Sequence, residues 1–228
     1  MVRILLWDLD GTLLDFKASE SAAIKKCFAI FGFGTCTDEM VAHYSAINLR
    51  HWEMLERGER TRSQILRGRF EEFLASCGAD PAAAEAFNLE YENRLTDTVK
   101  FMPGARETVL ALRGRVRQCV VTNGNRLVQY PKMRRSGLDA IMERTFISEE
   151  LGAEKPTKAF FDSVFTALGD GDPQHYLIVG DSLTSDMRGG VNAGIRTCWY
   201  NPGGADNTAG LPPDHEIADL REVLEIVE

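Results

Sequence analysis

The sequence predicts an α/β protein: a doubly wound, Rossmann-like parallel sheet with four helices inserted behind its first strand. Three observations carry this. The apolar run over residues 2–7 stops at Asp8-Leu9-Asp10-Gly11-Thr12, the pattern of a buried strand that delivers acidic groups to its C-terminal end. Over residues 16–98 four helical patterns follow one another with no strand between them, as in a small bundle. From Pro103-Gly104 onward strands and helices alternate over roughly 120 residues, which argues a parallel sheet covered on both faces.

Each element has its own signal. Ile24, Cys27, Phe28 and Phe31 recur at i, i+3, i+4 and i+7 and mark one apolar helix stripe, which Gly32-Phe33-Gly34 ends. A second helix begins behind Thr37 and runs through Val41, Tyr44 and Trp52 to Arg57-Gly58. Thr61-Arg62-Ser63-Gln64 has capping-box spacing and opens a third helix with the stripe Leu66, Phe70, Phe73, Leu74 and Cys77. Asp80-Pro81 reads as a cap followed by proline in the first helical position, with Ala84, Phe87, Tyr91 and Leu95 behind it. In the second half a helix over 105–112 leads to a strand over 117–122. The Gly124-Asn125 turn, a helix through Val128, Met133 and Leu138, and a strand over 144–148 follow. A helix over 158–168 closed by Gly169 precedes a strand over 176–179, which stops at Gly180-Asp181. A helix through Val191, a strand over 195–200, a surface loop from Pro202 to Pro213 and a closing helix over 218–227 complete the chain. The first strand therefore belongs with the second half. The expected core is 1–15 with 99–228, and 16–98 is a helical insertion leaving the sheet's C-terminal edge, where a lid over an active site would sit.

Composition narrows the partners. The 228 residues suffice for such a core plus its insertion, and 44% apolar content fits a globular protein. With 26 basic and 34 acidic residues the formal charge is −8, which argues against long nucleic acid and leaves room for a small anionic substrate at a local positive site. Cys27, Cys36, Cys77, Cys119 and Cys198 form no C-x-x-C pair, and an odd number disfavours a complete disulfide set. Reduced thiols and a cytoplasmic location are expected. No window approaches about 18 uninterrupted apolar residues, so neither a membrane span nor a secretion signal is expected. Oligomeric state is not legible.

If the strands are parallel, their C-terminal ends bring Asp8, Asp10, Thr122-Asn123-Gly124, Glu154-Lys155-Pro156 and Gly180-Asp181-Ser182 to one edge, where open α/β sheets bind ligands. Carboxylates within a few Å of one another resist joint ionisation unless a cation balances them, and an all-oxygen donor set favours a hard divalent ion, Mg²⁺ first. A lysine and backbone N–H groups beside that ion suit a phosphate. Each residue also has a plainer reading. Thr122 alone is a strand-end hydroxyl, Lys155 beside Glu154 an exposed pair, Asp181 or Ser182 a helix cap, and Asp186 a solvated helix residue. His43, His51, His175 and His215 are dispersed, and Arg134-Arg135 reads as a solvated helix face.

Taken together, Asp8-x-Asp10-Gly11-Thr12, Thr122-Asn123-Gly124, Lys155-Pro156 and Gly180-Asp181-Ser182 with Asp186 resemble the four motifs of the haloacid dehalogenase superfamily, in order along the chain. The resemblance implies a Mg²⁺-dependent phosphomonoester hydrolase. Asp8 would be the nucleophile that takes the phosphoryl group, and Asp10 the acid that protonates the leaving oxygen and then deprotonates the attacking water. Thr122 and Lys155, with Asn123 and Gly124, would hold the phosphoryl oxygens. Asp8, the Asp10 carbonyl and Asp181 would bind Mg²⁺, with Asp186 supporting the metal shell. Members that cleave carbon–halogen bonds lack an acid at the position of Asp10, so its presence points to phosphoryl chemistry.

The segment Ile47-Asn48-Leu49-Arg50-His51-Trp52, with Gly58, Gln64 and Gly68-Arg69-Phe70, resembles the helical (C1-type) cap of the superfamily's bacterial pyrimidine nucleotidases. Ile147-Ser148-Glu149-Glu150, Asn192-Ala193-Gly194 and Thr197-Cys198-Trp199 resemble the same group. This implies hydrolysis of nucleoside 5′-monophosphates such as UMP, dUMP and dTMP; on the residues themselves, Trp52 or Phe70 could stack on a base and Asn48 or Arg50 could hydrogen-bond its edge. Trp52 and Phe70 are equally the large residues that fill a bundle's core. The alternatives are a phosphatase for phosphoglycolate or a sugar phosphate, a phosphomutase, or a non-enzymatic phosphoacceptor domain resembling a receiver.

Overall fold

The computed structural model describes residues 1–227. It divides into two compact units, Met1–Asp15 with Lys100–Glu228, and Phe16–Val99.

The first unit begins with strand β1, Ile4–Trp7, whose four side chains are all buried. The second unit follows at once as helices α1 (Phe16–Phe31), α2 (Asp38–Glu56), α3 (Arg62–Ser76) and α4 (Ala84–Leu95). Their starts are set locally. Thr37 accepts from the Met40 amide at 3.3 Å, and Thr61 and Gln64 cap each other reciprocally. Asp80-Pro81 opens a 3₁₀ turn, Pro81–Ala83, before α4 begins, because Asp80 caps the Ala82 amide. The interior of this unit is aromatic. Tyr44 stacks on Phe70 at 5.0 Å, and Phe70 meets Phe87 and Tyr91 at 5.1 Å each, so Phe70 is core. On α3 it is Ile65, rather than Leu66, that is fully buried.

The chain returns to the first unit with α5 (Ala105–Ala111), β2 (Arg117–Thr122), α6 (Arg126–Ser136), β3 (Arg144–Ile147), α7 (Ser148–Leu151) and α8 (Lys158–Leu168). Then come β4 (Tyr176–Gly180), α9 (Arg188–Ala193), β5 (Arg196–Tyr200), β6 (His215–Ile217) and α10 (Val223–Ile226). The strands form one parallel sheet in the order β3-β2-β1-β4-β5-β6. Because side chains alternate across a strand, Ile4, Leu6, Cys119, Val121, Tyr176 and Ile178 share one face, which packs on Phe160, Phe161 and Val164 of α8. Leu5, Trp7, Val120, Leu177 and Val179 are equally buried on the other face. This is the doubly wound architecture that the alternating pattern predicts. The connections from β1 and β4, neighbours at the centre, leave toward opposite sides of the strand order. That makes their carboxyl ends the switch point where such sheets bind ligands.

Beyond one-residue shifts at the ends of α5, β4 and β5, the structure departs from the sequence reading in this unit as follows. The expected closing helix over 218–227 is instead a 3₁₀ turn at Leu220–Glu222 and the short α10, and an unexpected edge strand, His215–Ile217, precedes it. Asp219 and Glu222 form a capping box that starts a turn at Leu220. Asp214 binds the Thr197 amide and hydroxyl and seats β6 beside β5. The helix expected to run through Leu138 stops at Ser136, because Gly137 takes the left-handed conformation at φ 75°. The strand expected over 144–148 ends at Ile147, and Ser148 opens α7.

Candidate active site

The end of β1 delivers Asp8, whose amide donates to the Val179 carbonyl of β4 at 2.9 Å. Its neighbour at the end of β4 is Asp181. At Gly11 the chain turns with φ 98°, and a Cβ there would lie 2.5 Å from the Asp181 carboxylate, so only glycine gives both the turn and the room. Thr12, fully buried, donates its hydroxyl to Asp181 Oδ1 at 3.1 Å. Behind Asp181 a π-helical turn, Leu183–Met187, brings Asp186 back toward the strand end. Ser182 Oγ caps the Ser185 amide, and the Ser182 amide donates to Asp186 Oδ2 at 3.2 Å. Gly180 leaves space for this return, since a Cβ on it would lie 2.2 Å from Asp186 Oδ2.

Lys155 ties these acids together. Its ammonium, on a side chain 1% exposed, donates to Asp8 Oδ1 at 2.8 Å, Asp186 Oδ1 at 2.6 Å and the Val121 carbonyl at 2.9 Å. Its backbone is clamped by Asn123, whose side-chain oxygen accepts from the Lys155 amide and whose nitrogen donates to the Lys155 carbonyl, both at 2.8 Å. Asn192 holds the next carbonyl, that of Pro156, at 2.9 Å. Thr122 Oγ1 accepts from the Gly124 amide at 3.2 Å and from Gln129 at 2.9 Å, which leaves its own proton to donate.

The charges do not balance within this cluster. Asp8, Asp181 and Asp186 offer oxygens that all lie within 4.8 Å of one another, and among the described residues it is the Lys155 ammonium that pairs with Asp8 and Asp186. Burial pushes the Asp8 carboxyl well above its usual range, opposed by Lys155 and reinforced by Asp186 and Asp181. Desolvation, then repulsion from Asp186, pushes Asp181 up to about 7. Of the three it is the one exposed to solvent. Burial alone would lower Lys155, but Asp186 and Asp8 outweigh it and raise the ammonium above its ordinary value. A cluster of hard oxygen donors that costs this much to ionise fits a small divalent cation such as Mg²⁺. Asp186 is buried and paired with Lys155, not a solvated helix residue. The Asp10 carboxylate lies outside the three-acid cluster. It turns instead to Lys132 and Gln129, neither of which the sequence reading had marked.

A model of the haloacid dehalogenase-like hydrolases matches residues 2–194. The chain belongs to that family. This hydrolase is 36% identical over 227 residues to the HAD-hydrolase YfnB of Bacillus subtilis, an alignment covering 99% of the chain and 95% of YfnB. The magnesium-bound crystal structure of YfnB superposes with a TM-score of 0.94 at 35% identity, covering 100% of this chain and 99% of that one. The pyrimidine 5′-nucleotidase YjjG of Escherichia coli is 30% identical over 223 residues, covering 98% of this chain and 96% of YjjG. The pyrimidine 5′-nucleotidase PynA of Streptococcus pneumoniae is 29% identical over 227 residues, covering 99% and 95%.

The residues expected to read a base sit as follows within the helical unit of this hydrolase. Asn48 is buried with both ends of its amide engaged, donating to Glu20 at 3.1 Å and accepting from Arg69 at 2.8 Å. Arg50 is exposed and paired with Glu72. Trp52 is half-buried beneath the Arg62 guanidinium, 5.6 Å from the ring centroid. The five cysteines are free thiols, and among the described residues no helix is long and apolar enough to cross a membrane.

Proposed function

We propose that this hydrolase is a Mg²⁺-dependent phosphomonoesterase that works through an aspartyl-phosphate on Asp8, with pyrimidine nucleoside 5′-monophosphates as its substrates. The observation that carries the reading is the pairing of the buried Asp8 with Lys155 at 2.8 Å beside two further carboxylates, while Asp10, two residues on, is held apart from them. Asp8 attacks phosphorus in line, and the ester P–O bond breaks as Asp10 gives its proton to the leaving oxygen. Asp10 then takes a proton from water, which attacks the same phosphorus and returns Asp8 as a carboxylate with release of inorganic phosphate. Lys155 and the Thr122 hydroxyl hold the transferring oxygens and stabilise their charge. Asp8, the Asp10 carbonyl and Asp181 would ligate Mg²⁺, supported by Asp186. When bound, the ion keeps Asp8 ionised and screens it from the incoming phosphate.

The substrate class is supported by the full-length likeness to YjjG and PynA, both pyrimidine 5′-nucleotidases. The test is a panel of phosphomonoesters with Mg²⁺, comparing UMP, dUMP and dTMP with phosphoglycolate and glyceraldehyde 3-phosphate. The pyrimidine monophosphates are expected to rank first in kcat/KM. A rank below phosphoglycolate would remove the nucleotidase assignment, and near-native turnover by Asp8→Asn would remove the mechanism.

A further inference from the structure

Helix α6 aims two buried polar side chains at Asp10. Gln129 and Lys132 are three residues apart and so share one helix face, and they are 2% and 1% exposed. Lys132 Nζ donates to Asp10 Oδ1 at 2.6 Å, and Gln129 Nε2 donates to Asp10 Oδ2 at 2.9 Å. Each carboxylate oxygen therefore has its own donor, and both donors come from one helix. Gln129 Nε2 also donates to Thr122 Oγ1 at 2.9 Å. This fixes the orientation of its amide, since the reverse orientation would turn its oxygen toward the Asp10 carboxylate. The helix is anchored where it begins. Asn125 accepts from the Val128 amide at 3.0 Å, and a Cβ on Gly124 would lie 2.0 Å from Gln129 Nε2, so the β2–α6 turn is shaped around this glutamine.

A buried ammonium is costly unless paired, and this one is directed at an acid that the Asp8–Asp181–Asp186 cluster does not include. We propose that Lys132 and Gln129 are positioning residues for Asp10, fixing its carboxylate in a single orientation for proton delivery to the leaving oxygen. This rests on the role given to Asp10 under the proposed function. A reacting group misplaced by about 1 Å loses on the order of 10²-fold in rate, and two donors on a rigid helix prevent that displacement.

The test exploits the leaving group. A nucleoside 5′-alkoxide needs a proton to depart, whereas p-nitrophenolate does not. For the wild type, Lys132→Met, Lys132→Arg and Gln129→Leu, kcat/KM is measured with Mg²⁺ on UMP and on p-nitrophenyl phosphate. It reports the steps through phosphoryl transfer to Asp8. In Lys132→Met, kcat/KM for UMP is expected to fall on the order of 10²-fold and that for p-nitrophenyl phosphate less than about 5-fold. Lys132→Arg is expected to recover most of the loss, and Gln129→Leu, which also removes a donor to Thr122, to lower both esters but UMP the more. The aryl ester also reports whether each variant is folded. Equal losses on both esters would assign Lys132 a purely structural role and overturn the proposal, as would no loss on either with the wild type active. A wild type inactive on UMP would overturn the pyrimidine nucleotidase assignment, and the comparison is then made with the alkyl phosphate that ranks first in the panel; a wild type inactive on every ester of the panel would overturn the phosphomonoesterase reading and this one with it.

Discussion

Replacing Lys155 with methionine tests the electrostatic centre of the site. Methionine keeps much of the stem's packing and removes the ammonium that donates to Asp8 at 2.8 Å, to Asp186 at 2.6 Å and to the Val121 carbonyl. Asp8 and Asp186, both buried, then face each other without a cation. Removing one partner of a buried ion pair costs about 3–5 kcal/mol. At about 2–4 °C per kcal/mol for a chain of this size, the unfolding midpoint falls roughly 6–20 °C in metal-free buffer near neutral pH. Mg²⁺ at a hundred times its dissociation constant stabilises by about 2.7 kcal/mol. The variant's cluster carries one more uncompensated negative charge, so its metal-induced shift is expected to exceed that of the wild type. Scanning calorimetry is the suitable assay, because two compact units need not unfold as one transition. A drop smaller than about 3 °C without metal, or a Mg²⁺ shift smaller in Lys155→Met than in the wild type, would refute the argument that Lys155 holds these carboxylates together.

Two further outcomes follow from the charges. An acid whose pKa is raised by folding binds its proton more tightly in the native state. Its contribution to stability is complete below the unfolded value near 3.8 and is lost as pH climbs through the folded value, about 7 for Asp181. Urea unfolding of the metal-free protein should therefore show stability falling between about pH 4 and 7, less steeply in Asp181→Asn, with solvent at this exposed residue limiting the size of the effect. An unchanged slope in that variant would discount Asp181. In the helical unit, Arg69 is 3% exposed, donates to Asn48 and Asn88 at 2.8 Å each, and lies 5.0 Å from the Phe70 ring and 5.3 Å from Tyr91. Arg69→Met strands those amides and removes a charge that helps keep the buried Glu20 ionised, so that unit should lose about 1.5–3 kcal/mol in urea unfolding; a loss below about 0.5 kcal/mol would show that the network relaxes around the gap.

Most of the architecture was legible because its causes are local. A buried parallel strand is a short apolar run, and a helix start is a capping side chain at fixed spacing, as at Thr37 and Thr61. The edge strand His215–Ile217 was not legible. It is three residues long with two polar members, and pairing with β5 makes it a strand where its own composition does not. The interrupted C-terminal helix did carry a signal, the Asp219–Glu222 capping spacing, placed one residue later than the expected start.

In the site, the chemical groups and their common edge can be read from the chain: Asp8, Thr122 and Asp181 are strand-end residues, and parallel strands place such ends side by side. How those groups divide into partners depends on the folded arrangement. Lys155 reaches Asp8 across 147 residues and Asp186 across 31, and Lys132 reaches Asp10 across 122. On α6 the apolar neighbours Val128 and Met133 gave the periodic signal, and nothing local distinguishes Gln129 and Lys132 from solvated polar residues. Their burial follows from an acid delivered by a distant strand. A periodic pattern reports which face of an element avoids water, while the partner of a buried charge depends on what the fold brings opposite it.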